Sequence, residues 1–505
     1  MHKRTLATAI AVASATLLAG LAPAAVAAPD KPGSGTTKPA KAASDFNGDG
    51  YGDLVVQASV SRNEGIHRAG AVSVVYGSAP GATATKTVAI SQDTPGIPGA
   101  SEEHDRFGHD SATADYDGDG YADLAISADG EDMTIGGGYR RNAGQITIVW
   151  GGKHGLTKHG ATTVKQTAPR GLDWRRGASL AAGDFNGDGR ADLASSDHSD
   201  GRGGEVLYGP ISRTGKPKSI INLGIKDRDR SDFIDLSEGD VTGDGISDLV
   251  IEVSDGKSRA TERIEIQRGT KKGLIRTGNL TNADGTVLGN ESGRDNVTVG
   301  DLDRDGHDDL AIGVAVAGEP KAPRESGEVR IVYGGPKGQS NRPVQVISQD
   351  TPGVPDESEE KDYFGRYLSI GDTNGDGYGD LAVATSEEGL NGLPYAGQVT
   401  LLPGGPKGVT GAGARVYHQD TEGVPGEVSD RGGFGHFVKL ADLNGDGRDD
   451  LVTADARFSA DALVYVLPAD RKTGTITGAG SKALGFKELG VPVWASHGFG
   501  ASYGG

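Results

Sequence analysis

Seven times along the chain, oxygen-bearing side chains fall on alternate positions of one ten-residue pattern. Asp stands at positions 1, 5 and 9, and Asp, Asn or once Thr at position 3, with Gly at 6 and Leu at 10. The first three copies supply Asp45, Asn47, Asp49 and Asp53, then Asp115, Asp117, Asp119 and Asp123, then Asp184, Asn186, Asp188 and Asp192. The fourth supplies Asp240, Thr242, Asp244 and Asp248, and the fifth Asp301, Asp303, Asp305 and Asp309. The last two supply Asp372, Asn374, Asp376 and Asp380, and Asp442, Asn444, Asp446 and Asp450. The backbone carbonyl of position 7, carried by Tyr51, Tyr121, Arg190, Ile246, His307, Tyr378 and Arg448, adds a fifth oxygen to each set.

Oxygens at this density can wrap one hard cation, and calcium takes roughly six to eight of them in flexible geometry. Magnesium suits the loop less, because it demands near-octahedral geometry and keeps its waters. A metal-free Gly/Asp turn fits a single copy, but repeated crowding of three or four like charges calls for a counter-ion. The expectation is up to seven calcium ions, weakest at the Asp240 copy, where Thr242 replaces a carboxylate or amide. An EF-hand is excluded. Its twelfth position should be Glu, and in five copies it is apolar instead, as Val56, Ile126, Ile251, Ile312 and Val383.

The elements that must hold these loops recur with them, at spacings of 56 to 71 residues, which marks a repeat architecture. After each Leu comes an apolar run such as Leu54-Val-Val or Leu310-Ala-Ile. Later comes an alternating stretch opened and closed by Gly, such as Gly70–Gly77, Gly144–Gly151, Gly327–Gly334 and Gly397–Gly404, which is strand patterning. A further β-like stretch leads into Ile90-Ser-Gln-Asp-Thr-Pro-Gly-Ile-Pro98, echoed at 347–355 and 417–425. Four short strands per unit with almost no helix signal, repeated radially, make a β-propeller.

Upstream of four loops lies Phe107-Gly108, Arg176-Gly177, Phe364-Gly365 or Phe434-Gly435, each eight residues before the first Asp. Together with the loop and the strand ending Tyr76-Gly77 or Tyr333-Gly334, this resembles the FG-GAP repeat of the integrin α-subunit head, in the form carried by secreted bacterial proteins. The resemblance implies an all-β, seven-bladed β-propeller of four-stranded blades, with calcium-binding loops between the first and second strands on one face. Copies four and five lack Phe-Gly, so their first strands are less defined by sequence.

Composition and the chain's start set the context. The net charge of −19 argues against nucleic acid, and the lack of cysteine excludes disulfides, Cys-ligated metal and cysteine nucleophiles. Residues 1–27 read as a signal peptide, with Lys3 and Arg4, an apolar stretch, and a cleavage site after Ala27. Residues 28–44 read as a flexible linker, and 45–505 as the propeller. The final Phe499-Gly500 has no Asp loop after it, while Asp45 has no Phe-Gly before it. The C-terminal strand is therefore expected to complete the first blade and close the ring.

Gly500-Ala-Ser502-Tyr-Gly504 matches a nucleophile elbow, but that elbow needs a strand-to-helix turn in an α/β sheet. The chain is expected not to be an enzyme. The expected function is a secreted, monomeric, calcium-binding propeller that binds or scaffolds an extracellular protein or polysaccharide, without a membrane span once mature. The alternative is an extracellular carbohydrate hydrolase or lyase on the same scaffold.

Overall fold

The computed structural model describes residues 44–491, apart from 60, 62–65, 84–85, 136, 157–159, 166–173, 199–202, 226–232, 255–260, 290–295, 316–324 and 456–461. The chain separates into Met1–Pro32 and Gly33–Gly505, and the propeller belongs to the second unit. The expected leader, most of the expected linker and the segment 492–505 expected to complete the first blade, with Ser502, lie outside the described residues.

The architecture is a seven-bladed, all-β propeller. In blades two to seven each Asp loop joins the first strand to the second, because Gly at position 6, and in six of the seven loops also at position 4, turns the chain back at once. Blade two is the pattern: Ser111–Ala114, Asp123–Ala128, Gln145–Val149 and Thr162–Thr163, an antiparallel meander in that order. Blades three (Leu180–Gly183 to Ser219–Asn222), four (Phe233–Gly239 to Ile275–Asn279) and five (Asn296–Gly300 to Gln345–Ile347) repeat it. So do blades six (Leu368–Gly371 to Arg415–Tyr417) and seven (Phe437–Ala441 to Lys482–Leu484). Blade one shows three described strands, Leu54–Gln57, Val72–Val75 and Thr87–Ile90. Blades four and five form regular first strands despite lacking Phe-Gly; their pairing to the second strand, such as Val299 opposite Leu310, carries the structure instead.

The second and third strands are buried on both faces, since each blade packs against a neighbour on either side. The apolar side chains sort into seven clusters, and each cluster joins two consecutive blades. One of them joins the ends of the ring: Leu54, Val56 and Val75 of blade one pack with Val452, Val464 and Leu484 of blade seven. A single helical turn, Phe486–Leu489, seals that seam. Phe486 and Leu489 are buried in it, and Ser73 Oγ donates to the Leu489 carbonyl at 2.7 Å.

Backbone hydrogen bonds fix the angular register. In six blades the N–H of loop position 8 donates to the position-1 carbonyl of the preceding blade's loop, at 2.9–3.2 Å. One of these, Gly52 to Asp442, runs from blade one back to blade seven. The third strand must end tightly against the same loop. A Cβ on Gly151 would meet the Ala122 carbonyl oxygen at 1.9 Å, so only Gly fits there.

Candidate functional site

The Asp loops lie on one face, between the first and second strands in blades two to seven and just before Leu54–Gln57 in blade one, and share one backbone hydrogen-bond pattern. Position 1 organises the turn. Asp45 Oδ1 accepts the N–H groups of Gly48 (2.7 Å) and Asp49 (3.1 Å), and Oδ2 accepts that of Gly50 (2.9 Å). Asp115 and Asp372 repeat this set, and Asp184, Asp240, Asp301 and Asp442 keep most of it. Gly120 at position 6 takes φ +94°, the left-handed region in which a side chain would be strained.

Position 9 is the buried anchor. Asp53 Oδ1 accepts the Gly77 N–H at the end of the third strand (2.9 Å), and Oδ2 accepts the Phe46 N–H (2.9 Å). The Oδ1 bond recurs at Asp123, Asp192, Asp248, Asp309, Asp380 and Asp450, at 2.7–3.1 Å. Burial pushes these carboxyls up, to about 7 for Asp53, Asp192, Asp248 and Asp450. Asp123 and Asp309 reach about 8 and Asp380 about 6. The N–H donors and any neighbouring cation act in the opposite sense, favouring the ionised form.

Positions 3 and 5 complete the concavity. At the second and fifth loops, oxygens of Asp115, Asp117 and Asp123, and of Asp301, Asp303 and Asp309, lie within 4.8 Å of one another. At loops three, six and seven the Asn amide nitrogens of Asn186, Asn374 and Asn444 approach the position-9 carboxylate at 2.9–3.5 Å. A half-turn of each amide presents its oxygen to the same space. Asn47 Nδ2 in the first loop is buried with no hydrogen-bond partner. These oxygen-only sets fit a hard dication. The fourth loop fits it least, because Thr242 Oγ1 donates to Asp248 (3.3 Å) rather than offering an anionic oxygen.

Sequence reasoning missed the basic side chains that reach the loops. Arg213, from the third-to-fourth-strand turn of blade three, pairs with Asp117 (2.5 Å) and Asp119 (2.8 Å) of blade two. Lys218 pairs with Asp188, Arg268 with Asp244, Arg342 with Asp303 and Arg471 with Asp446. Such partly exposed pairs contribute little individually. Their only sequence signal is a cation in the turn after each third strand.

The opposite face carries the other two sets of connections. There the blade-two segment Met133–Ile135 pairs with Gly138–Arg140 as a hairpin, on which Tyr139 is 63% exposed. Tyr395, on the corresponding connection of blade six, is 37% exposed. His109 lies 3.8 Å from Asp129 on this side, and His436 stacks edgewise on Tyr367 at 5.5 Å.

A family model described as FG-GAP repeat matches residues 42–75, 107–149, 176–206, 295–332 and 364–402. Blades four and seven fall outside these matches, although their Asp loops follow the same ten-residue pattern. Among curated relatives, phosphatidylinositol-glycan-specific phospholipase D of Mus musculus is 31% identical over 41% of this chain and 22% of its own length. Integrin alpha-PS2 of Drosophila melanogaster is 30% identical over 37% of this chain and 13% of its own. The chain therefore spans less than a quarter of these relatives. Among solved structures, an exotype rhamnogalacturonan lyase aligns with 87% of this chain and 71% of that one, at a TM-score of 0.32 and 12% identity. The expectation that the chain is not an enzyme is corrected here, because an enzyme, a phospholipase D, stands among its relatives.

Proposed function

We propose that this chain, a β-propeller of FG-GAP repeats, is an exported, calcium-loaded propeller that binds an extracellular protein or polysaccharide on the face opposite its Asp loops. Positions 1, 3, 5, 7 and 9 of each loop would hold the ion. Bound there, calcium supplies fixed positive charge that ties the first strand, the second strand and the end of the third into one unit. The rest belongs to the chain: position 1 shapes the turn, and position 9 pins the blade's third strand. Export by the leader ending at Ala27 and a monomeric mature form complete the proposal. Among the described residues no helix is long and apolar enough to cross a membrane.

The observation that carries the binding role is the projecting hairpin with Tyr139, seconded by Tyr395 on the same face. Exposed aromatics on connections held by a rigid scaffold are contacts in waiting for a sugar ring or an apolar side chain. A glycan array, together with capture from the producing cell's own surface, tests it. Tyr139→Ser with Tyr395→Ser should abolish whatever binding the intact chain shows. Undiminished binding by the double variant would refute the assignment of the face.

One observation favours a second reading, action on a carbohydrate in the central channel. Glu238, on the first strand of blade four, and Lys439, on the first strand of blade seven, lie near enough for their charges to act on one another. Although Glu238 is solvent-exposed, desolvation by the surrounding strands and the nearby Asp308 push its carboxyl up to about 7, a range suited to a general acid. Incubation with a polysaccharide panel should then release reducing ends with the intact chain and not with Glu238→Gln. Equal release by both would end this reading.

A further inference from the structure

The connections from blade one to two and from blade five to six share a segment the Asp loops do not use: Ser91-Gln-Asp-Thr-Pro-Gly96 and Ser348-Gln-Asp-Thr-Pro-Gly353. Both lie on the opposite face and fold alike. The Ser348 N–H donates to Thr351 Oγ1 (2.9 Å) and the Ser358 N–H to Asp350 Oδ1 (3.1 Å). The Ser91–Thr94 and Ser101–Asp93 bonds match them at 3.0 and 3.1 Å. The Gln side chain then reaches a glutamate that follows the next blade's second strand. Gln349 Nε2 donates to Glu388 at 2.7 Å, and Gln92 Nε2 to Glu131 at 2.5 Å.

In the blade five–six copy this gathers oxygens into one place. Carboxylate oxygens of Glu359, Asp362 and Glu388 lie within 4.8 Å of one another, and Asp362 and Glu388 are each 2% exposed. Among the described residues no Lys, Arg or His pairs with any of the three; Lys361 pairs with Glu360, and Arg366 with Glu387. Gln349 is 1% exposed, and its Oε1 has no hydrogen-bond partner. That oxygen sits on the amide whose nitrogen donates to Glu388. Gln92 Oε1 is orphaned in the same way.

Two deficits meet here. Buried carboxylates lack positive charge, and a buried carbonyl oxygen lacks a donor or a cation; each is costly alone. A hard dication answers both. An all-oxygen donor set disfavours the soft and imidazole-seeking metals. Oxygens this close together can each stand about 2.3–2.6 Å from one calcium. Blade seven provides a contrast within the chain. Its segment keeps Gln419, but Phe458 stands where Glu131 and Glu388 stand in the other copies. There Gln419 Nε2 donates to the Tyr465 hydroxyl at 2.6 Å instead.

We propose that Glu359, Asp362, Glu388 and Gln349 Oε1 form a calcium site of a second kind. It ties the connection between blades five and six to the loop after blade six's second strand, on the face away from the Asp loops. The test is calcium stoichiometry on the full chain, stripped with chelator, dialysed to saturation against calcium and measured by elemental analysis. Glu359→Gln and Glu388→Gln should each bind one calcium fewer per chain than wild type. Combining either with Asp119→Ala should remove two. Glu359 is exposed, so its substitution tests a ligand without threatening the fold. Melting adds an independent readout. With chelator present, Glu388→Gln should melt at or above wild type, because a buried repelling charge is gone; with calcium, its gain should be smaller. A wild-type calcium count in Glu359→Gln, or an undiminished calcium-induced rise in the melting temperature of Glu388→Gln, would overturn the proposal.

Discussion

Arg176 stands where Phe107, Phe364 and Phe434 stand in other blades, and it is 1% exposed. Its Nε meets Glu205 Oε1 at 2.7 Å, and Glu205 stands where Ser73, Thr147 and Thr400 stand elsewhere. A buried ion pair has replaced a phenylalanine and a small polar residue. Removing one partner strands a buried charge, so Arg176→Met should cost roughly 3–5 kcal/mol in denaturant unfolding. Restoring the repeat with Arg176→Phe and Glu205→Thr together should be neutral or stabilising. A mild single variant, or a double variant as damaged as the single, would speak against this. His436 makes the pH prediction. Burial, then the Arg366 charge, pushes its imidazole down to about 4, against about 6.5 when unfolded. The unfolded chain thus takes a proton that the folded one refuses between those values. Stability present above pH 6.5 is lost as pH falls toward 4, by roughly 3 kcal/mol. Melting from pH 7 to 4.5 should therefore fall more steeply for wild type than for His436→Gln, and parallel curves would contradict it.

At the level of the loop and its strands, two substitutions separate the forces. Gly151→Ala places a Cβ against the Ala122 carbonyl, which backbone movement alone can relieve, so unfolding should become easier by roughly 2–4 kcal/mol. Asp119→Ala should lower calcium-dependent stability more than Asp244→Ala, because the second loop offers four carboxylates and the fourth relies on Thr242. Equal losses from the two would contradict the ranking. The loop, the strand alternation and the blade count were legible because each is a local pattern repeated at a fixed spacing. Blades four and five show the limit: without Phe-Gly their first strands have no local mark, yet the ladder to the second strand forms them. The basic partners of the loops were not legible, since Arg213 answers carboxylates nearly a hundred residues earlier, in another blade. The Gln–Glu contacts of the opposite face were hidden for the same reason: Gln349 and Glu388 belong to different connections.

For the whole molecule, seven apolar seams and a hydrogen-bond register that returns from blade one to blade seven make a closed ring. Each seam is built from strands that the Asp loops align, so loss of loop order is transmitted to both neighbours. Closure leaves few free strand edges on which the ring can open gradually. Calcium bound only to the folded ring should contribute about 2.7 kcal/mol per site at a hundredfold excess over Kd. The seven acidic loops are proposed as calcium sites on which the propeller's stability rests. The most direct test is thermal melting of the full chain before and after exhaustive chelation, then after return of calcium or magnesium. The melting temperature should fall by many degrees on chelation, recover with calcium, and recover much less with magnesium. A melting curve unchanged by thorough chelation would contradict it.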